Sequence, residues 1–112
     1  MSALILFLLG ALFGLHLITR ILGNRPTSKT VVIFHTLFVV SGMALLFMTW
    51  ANTSHRYLNF SLGFLILAVL GGLLMVYMDV VKKLKPPAPL AIGHMLLALT
   101  GVTFLALYLF AK

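Results

Sequence analysis

Polar residues in this chain come in short clusters, and between the clusters run four stretches with almost no interruption: Ala3–Leu22, Val31–Ala51, Leu58–Val81 and Pro89–Ala111. Each is roughly 20 residues or more. At about 1.5 Å of rise per residue, that is enough to cross a hydrocarbon layer about 30 Å thick. The pattern predicts four helices, over about residues 3–22, 31–51, 58–83 and 89–111. The clusters carry helix-ending chemistry. Gly23 and Asn24 can close the first helix in left-handed conformations, Pro26 stops it, and Thr27 or Ser28 can cap the second. Asn52, Thr53 and Ser54 make a tight polar turn, while Pro86, Pro87 and Pro89 stiffen the third connection, with Pro89 suited to the first turn of a helix. Connections this short make consecutive helices neighbours. The expected fold is all-α, an integral membrane up-down-up-down four-helix bundle forming one transmembrane domain over residues 1–112.

Composition supports that class. Of 112 residues, 62% are hydrophobic and 8% charged, and the mean hydropathy is +1.20. A water-soluble core of this size could not bury such a surplus. The net charge of +7 would point to nucleic acid in a soluble protein. Here its placement argues otherwise, and no nucleic-acid partner is expected. Arg20, Arg25 and Lys29 flank the first connection and Lys82, Lys83 and Lys85 the third, with only Arg56 and Lys112 on the opposite side. The positive-inside rule then puts loops 23–30 and 82–88 in the cytoplasm and both termini on the non-cytoplasmic side, as in a bacterial inner membrane, with the basic rim against anionic lipid headgroups. The first stretch lacks the basic leader of a signal peptide and is followed by a stop-transfer pattern, so it is expected to remain as a helix.

The residues that are missing narrow the chemistry. There are no cysteines, which removes disulfides, iron-sulfur clusters, thiolate catalysis and covalent haem attachment. Asp79 is the only acidic residue, so paired-carboxylate hydrolysis and carboxylate-bridged di-iron sites are excluded. Glycine-rich phosphate loops and nucleophile elbows are absent. An electron carrier or binding protein is a better expectation than a self-contained enzyme.

The candidate chemistry is in the histidines. His16, His35 and His94 each lie about six residues from the same end of an apolar stretch, at matched depth. A ring nitrogen in hydrocarbon is costly unless something accepts it, so the layer suggests a shared guest. The second and fourth stretches repeat a motif: His35 is followed by Ser41-Gly42, and His94 by Thr100-Gly101, at the same spacing. These helices occupy diagonal corners of the expected bundle, and their imidazoles can face each other. Gly42 and Gly101 lie on the histidine faces about 10 Å deeper, where missing side chains leave room for a flat macrocycle, and Ala98 shares the face. The competing reading gives the histidines structural hydrogen bonds and the glycines close helix packing, as in the Gly10 and Gly14 surface of the first helix.

In His35, His94 and the glycines that follow them, the chain resembles small four-helix membrane b-type cytochromes, loosely the cytochrome b561 group. That resemblance implies one haem b with His35 and His94 as axial ligands, and electron transfer with a quinone or a redox partner protein. The chain is shorter than a typical member and supplies no second ligand pair. His16 is an alternative ligand or a hydrogen-bond donor to the haem, and Arg20, Lys82 or Lys83 could compensate propionate charge. Asp79 could orient an imidazole, pair with Arg20 or coordinate metal. Met75, Met78 and Met95 near the histidines would suit copper, and three histidines with Asp79 would suit zinc. A non-enzymatic subunit or assembly factor of a membrane complex, a homo-oligomer, and haem transport or sensing use the same features. On the opposite side, Trp50 and Tyr57 read as interfacial anchors and His55 as a solvated side chain, with His55 and Arg56 a weaker candidate for a quinone headgroup.

Overall fold

The computed structural model describes residues 1–111, so Lys112 and its charge lie outside the described residues. It contains four helices: α1 (Ser2–Leu22), α2 (Lys29–Asn52), α3 (Arg56–Val76, continued by a π-helical turn, Tyr77–Val81) and α4 (Ala88–Phe110). All four are long and apolar enough to span a membrane. The molecule measures 42 × 23 × 20 Å, and its long dimension matches a bilayer with its headgroup regions, about 40–45 Å. Large apolar side chains cover the outside, among them Leu12 at 66% and Val81 at 63% exposure. In water that surface would carry a cost of about 25 cal/mol per Å², whereas acyl chains solvate it freely.

The helix ends follow local chemistry, with two departures from expectation. Asn24 takes the left-handed conformation (φ 59°) that ends α1, while Gly23 stays at φ −81°. Asn tolerates this region because its short polar side chain bonds locally. Ser28 caps α2 and Pro89 sits in the first turn of α4, as the sequence predicts. The third helix does not continue as regular α-helix into the lysines. It widens at Tyr77–Val81, where the Lys82 amide reaches back to the Tyr77 carbonyl, and Lys83 then reverses the chain at φ 54°.

Packing divides the bundle into two antiparallel hairpins, α1–α2 and α3–α4, which meet along the thinner α1–α4 and α2–α3 seams. Ring contacts tie each hairpin: Phe13 stacks on Phe34 and Phe38 in the first, and in the second Phe64 stacks on Phe104 while Phe60 meets it tilted. The solid core gathers at the end that carries the termini and the α2–α3 turn, around Phe7, Leu46, Leu58, Leu62, Leu65 and Leu105. There the fully buried Ser61 donates to the Gly101 carbonyl at 2.7 Å. Ser61→Ala is expected to lower stability by about 1 kcal/mol, read from thermal unfolding in detergent.

The hairpins repeat one another. Ala3, Leu4, Phe7 and Gly10 are buried in α1, and Ser61, Leu62, Leu65 and Ala68 are buried in α3 at a constant shift. Gly42 and Leu46 in α2 correspond in the same way to Gly101 and Leu105 in α4, and His35 to His94, with a shift one residue longer. The bundle therefore has an approximate two-fold relation about its long axis.

Candidate functional site

The half of the bundle nearer the basic loops is hollow. A cavity of about 470 Å³ lies between the helices there, lined by residues of all four, and His35 and His94 are both in its wall. The two rings, each half-buried, reach across the α2–α4 diagonal to a centroid separation of 6.3 Å with their planes 74° apart. The volume falls within the range of small-molecule and cofactor sites, about 300–1,000 Å³. Leu12 of α1 and Leu99 of α4 also line it, and both are exposed, so the cavity opens sideways along the α1–α4 seam.

Each imidazole is held by the neighbouring helix of its own hairpin. His35 Nδ1 lies 2.7 Å from the Gly10 carbonyl oxygen, and His94 Nδ1 lies 2.6 Å from that of Ala68. A carbonyl only accepts, so in both rings Nδ1 carries the proton and donates it. In a neutral imidazole this leaves the lone pair on Nε2. That is the arrangement in which a metal-ligating histidine is oriented by its second nitrogen. The rings rest on glycines one turn along: a Cβ at Gly14 would stand 2.9 Å from His35 Cε1, and one at Gly72 would stand 3.0 Å from His94 Cε1. Gly14→Ala or Gly72→Ala should rotate the adjacent ring off its carbonyl, read as a change in the imidazole NMR signals of His35 or His94 in detergent.

Other sequence candidates are placed differently. Gly42 and Gly101 do not open space for a guest: Phe7 presses its ring edge on Gly42, and Leu65 fills the position over Gly101. Close helix approach in the solid half of the bundle accounts for both. The glycines beside the imidazoles are Gly14, which reads in the sequence as part of a helix-packing surface, and Gly72, which reads there as space in the core on the face of Met75 and Asp79. His16 is exposed on α1 and outside the cavity wall, because the α1 face turned inward at this level carries Gly14 and Ile18. Among the described residues no group of three or more His, Cys, Asp or Glu side chains is placed to hold a metal ion. Arg20, Lys82 and Lys83 do not line the cavity, and the Lys82 ammonium stands over the Tyr77 ring at 5.8 Å from its centroid. Asp79 does line it, and pairs with Lys29 rather than Arg20: its Oδ2 accepts from Lys29 Nζ and from Thr27 Oγ1, both at 2.7 Å.

At the far end of the molecule, His55 is not a free solvated side chain. Its Nδ1 accepts the Tyr57 amide at 3.1 Å as the N-cap of α3, and its ring packs 5.0 Å from that of Tyr108. Trp50 Nε1 donates to Asn59 Oδ1 at 2.8 Å across the same turn.

These features define a four-helix membrane-type bundle with a paired-imidazole cavity in one half. No protein-family model, curated protein or solved structure matches the chain.

Proposed function

We propose that this chain is a membrane-embedded haem b-binding protein that transfers electrons, with His35 and His94 as its two axial ligands. One observation carries the reading: two imidazoles from diagonal helices face one another beside a cavity, each with Nδ1 anchored and Nε2 left as a donor. Two imidazoles bound through single nitrogens to one metal at about 2 Å have ring centroids roughly 6 Å apart. The 6.3 Å separation agrees with that.

A haem held there would supply a one-electron ferric/ferrous couple. The chain's own part is to hold it and set its surroundings. The Gly10 and Ala68 carbonyls fix both tautomers and enrich the imidazoles as donors, favouring the higher oxidation state. Leucines around the cavity keep water away and lower the local dielectric, which favours the less charged state. The basic loops face the cytoplasm in this reading, both termini lie on the other side of a bacterial inner membrane, and a quinone or redox protein exchanges the electron. A subunit role in a larger complex would use the same site.

The purified chain, titrated with haemin in detergent, should give one equivalent of a species with sharp alpha and beta bands on dithionite reduction. Absence of any low-spin spectrum at stoichiometric haemin would overturn the proposal. A second reading has its own support: Met75 and Met95 line the cavity with the two histidines, and thioether with imidazole suits Cu(I). Tight copper binding by a preparation that takes up no haemin would favour it.

A further inference from the structure

A second space lies in the α2–α3 seam, separate from the histidine cavity. It is a groove of about 360 Å³ with Lys29 at one end. Val32, Thr36 and Val76, half-buried, form its floor and also line the histidine cavity, while the exposed Ile33, Leu37 and Val80 form its rims. Apart from Lys29 and the Thr36 hydroxyl, every side chain lining the groove is hydrocarbon. From Lys29 to Leu37 it follows α2 for about 12 Å. One leaflet of hydrocarbon is about 15 Å deep, so the groove starts at the basic end of the bundle and descends through most of a leaflet. Its charge is confined to its mouth. The bond from Lys29 Nζ to Asp79 Oδ2 uses one of three ammonium donors, and the Lys29 side chain is 55% exposed. Arg20, Arg25, Lys82, Lys83 and Lys85 belong to the same end, against Asp79 as the one acid, so an anion arriving there meets net positive charge. The hairpin repeat supplies a comparison: by the shift that relates His35 to His94, the counterpart of Ile33 is Ile92 but that of Lys29 is Ala88. The equivalent place on the other seam is apolar without an ammonium.

We propose that this groove holds one anionic phospholipid of the surrounding bilayer, with an acyl chain laid along Val32, Thr36 and Val76 and the phosphate accepting from Lys29 Nζ. The occupant must combine an extended apolar chain with a negative group at its upper end, in that order along the bundle axis. A phospholipid standing in the leaflet presents both at the right depths, and basic sites between membrane helices take anionic headgroups for this reason. The groove opens on the face that acyl chains solvate, where lipid is the most abundant ligand. A chain seated there covers the thinner α2–α3 seam and backs the wall of the histidine cavity at Thr36, next to His35. The site does not depend on what the histidines hold.

The test titrates the full-length chain in detergent with phosphatidylglycerol and with phosphatidylcholine of the same acyl chains, and counts retained lipid by native mass spectrometry. The wild type should retain one phosphatidylglycerol about 10-fold more tightly than phosphatidylcholine. Lys29→Gln with Asp79→Asn should lose that preference, although the net charge is unchanged and no carboxylate is left unpaired. Lys29→Arg should keep it. Lys82→Gln with Lys83→Gln removes two charges from the same end of the bundle and should also keep it. Ile33→Trp adds bulk at the groove without altering charge and should weaken phosphatidylglycerol retention by a similar factor. Circular dichroism reports whether each variant is folded. Equal retention of the two lipids by the wild type, or a preference that survives in the Lys29 and Asp79 double variant, would overturn the proposal. A preference that disappears with Lys82 and Lys83 would do the same, because it would mark diffuse attraction to the basic loops. If the Lys29 and Asp79 double variant does not fold, Ile33→Trp decides, and undiminished phosphatidylglycerol retention in it would overturn the groove as the site.

Discussion

His35→Ala and His94→Ala should each convert a six-coordinate low-spin haem spectrum to a five-coordinate high-spin one, and the double variant should bind no haem specifically. Each loss removes one of two donors whose free nitrogens the Gly10 and Ala68 carbonyls set in place. Because the hairpins are near repeats, the two single variants should be affected alike, by about 100-fold or more in affinity, beyond the 10–100-fold typical of losing an orienting partner. Optical and magnetic spectra of the reconstituted proteins read the outcome. Retention of the low-spin spectrum in either single variant would show that its histidine is not a ligand. His16→Ala supplies the control: its exposed ring lies outside the cavity wall, so the spectrum should stay unchanged.

The second large effect concerns folding. Gly101→Ala should destabilise the α3–α4 hairpin by about 3 kcal/mol, near the top of the usual overpacking range. The new Cβ would meet Leu65 Cγ at 2.5 Å and the Leu65 backbone nitrogen at 3.2 Å, so the two helices would have to part. Gly42→Ala should cost less, because its neighbour is the edge of the Phe7 ring at 3.0 Å, which can swing. Gly63→Ala has nothing within 4 Å and should gain up to about 1 kcal/mol from helix propensity. Unfolding in detergent, followed by circular dichroism, should rank the three in that order. Equal stability of Gly101→Ala and Gly63→Ala would refute the close-packing role.

The repeat of His and Gly along α2 and α4 is legible in the sequence, and its spacing correctly pairs the imidazoles across a diagonal. What the motif does not disclose is the separate work of its two residues. His35 and His94 reach into the hollow half, whereas Gly42 and Gly101 receive side chains from the other helix of their own hairpins in the solid half. Sequence spacing gives depth along a helix and the face a residue shares, but not which neighbour fills the facing space. The matching shift between α1 and α3 is hidden for a similar reason. Phe7, Gly10 and Gly14 share little with Leu65, Ala68 and Gly72 as letters, and only their common burial and contacts reveal the correspondence.

The number and length of the helices, their alternation and their apolar outer surfaces were set by the sequence alone. Nearly free of charged residues, each apolar stretch of bilayer length must satisfy its own backbone, and the helix is the local way to do so. The tertiary structure decided what depends on contacts between distant residues: Asp79 with Lys29 and Thr27, the carbonyls that hold each imidazole, the exposure of His16, and the cavity. These contacts join residues from helices far apart in sequence, and their geometry follows from how closely small side chains let those helices approach.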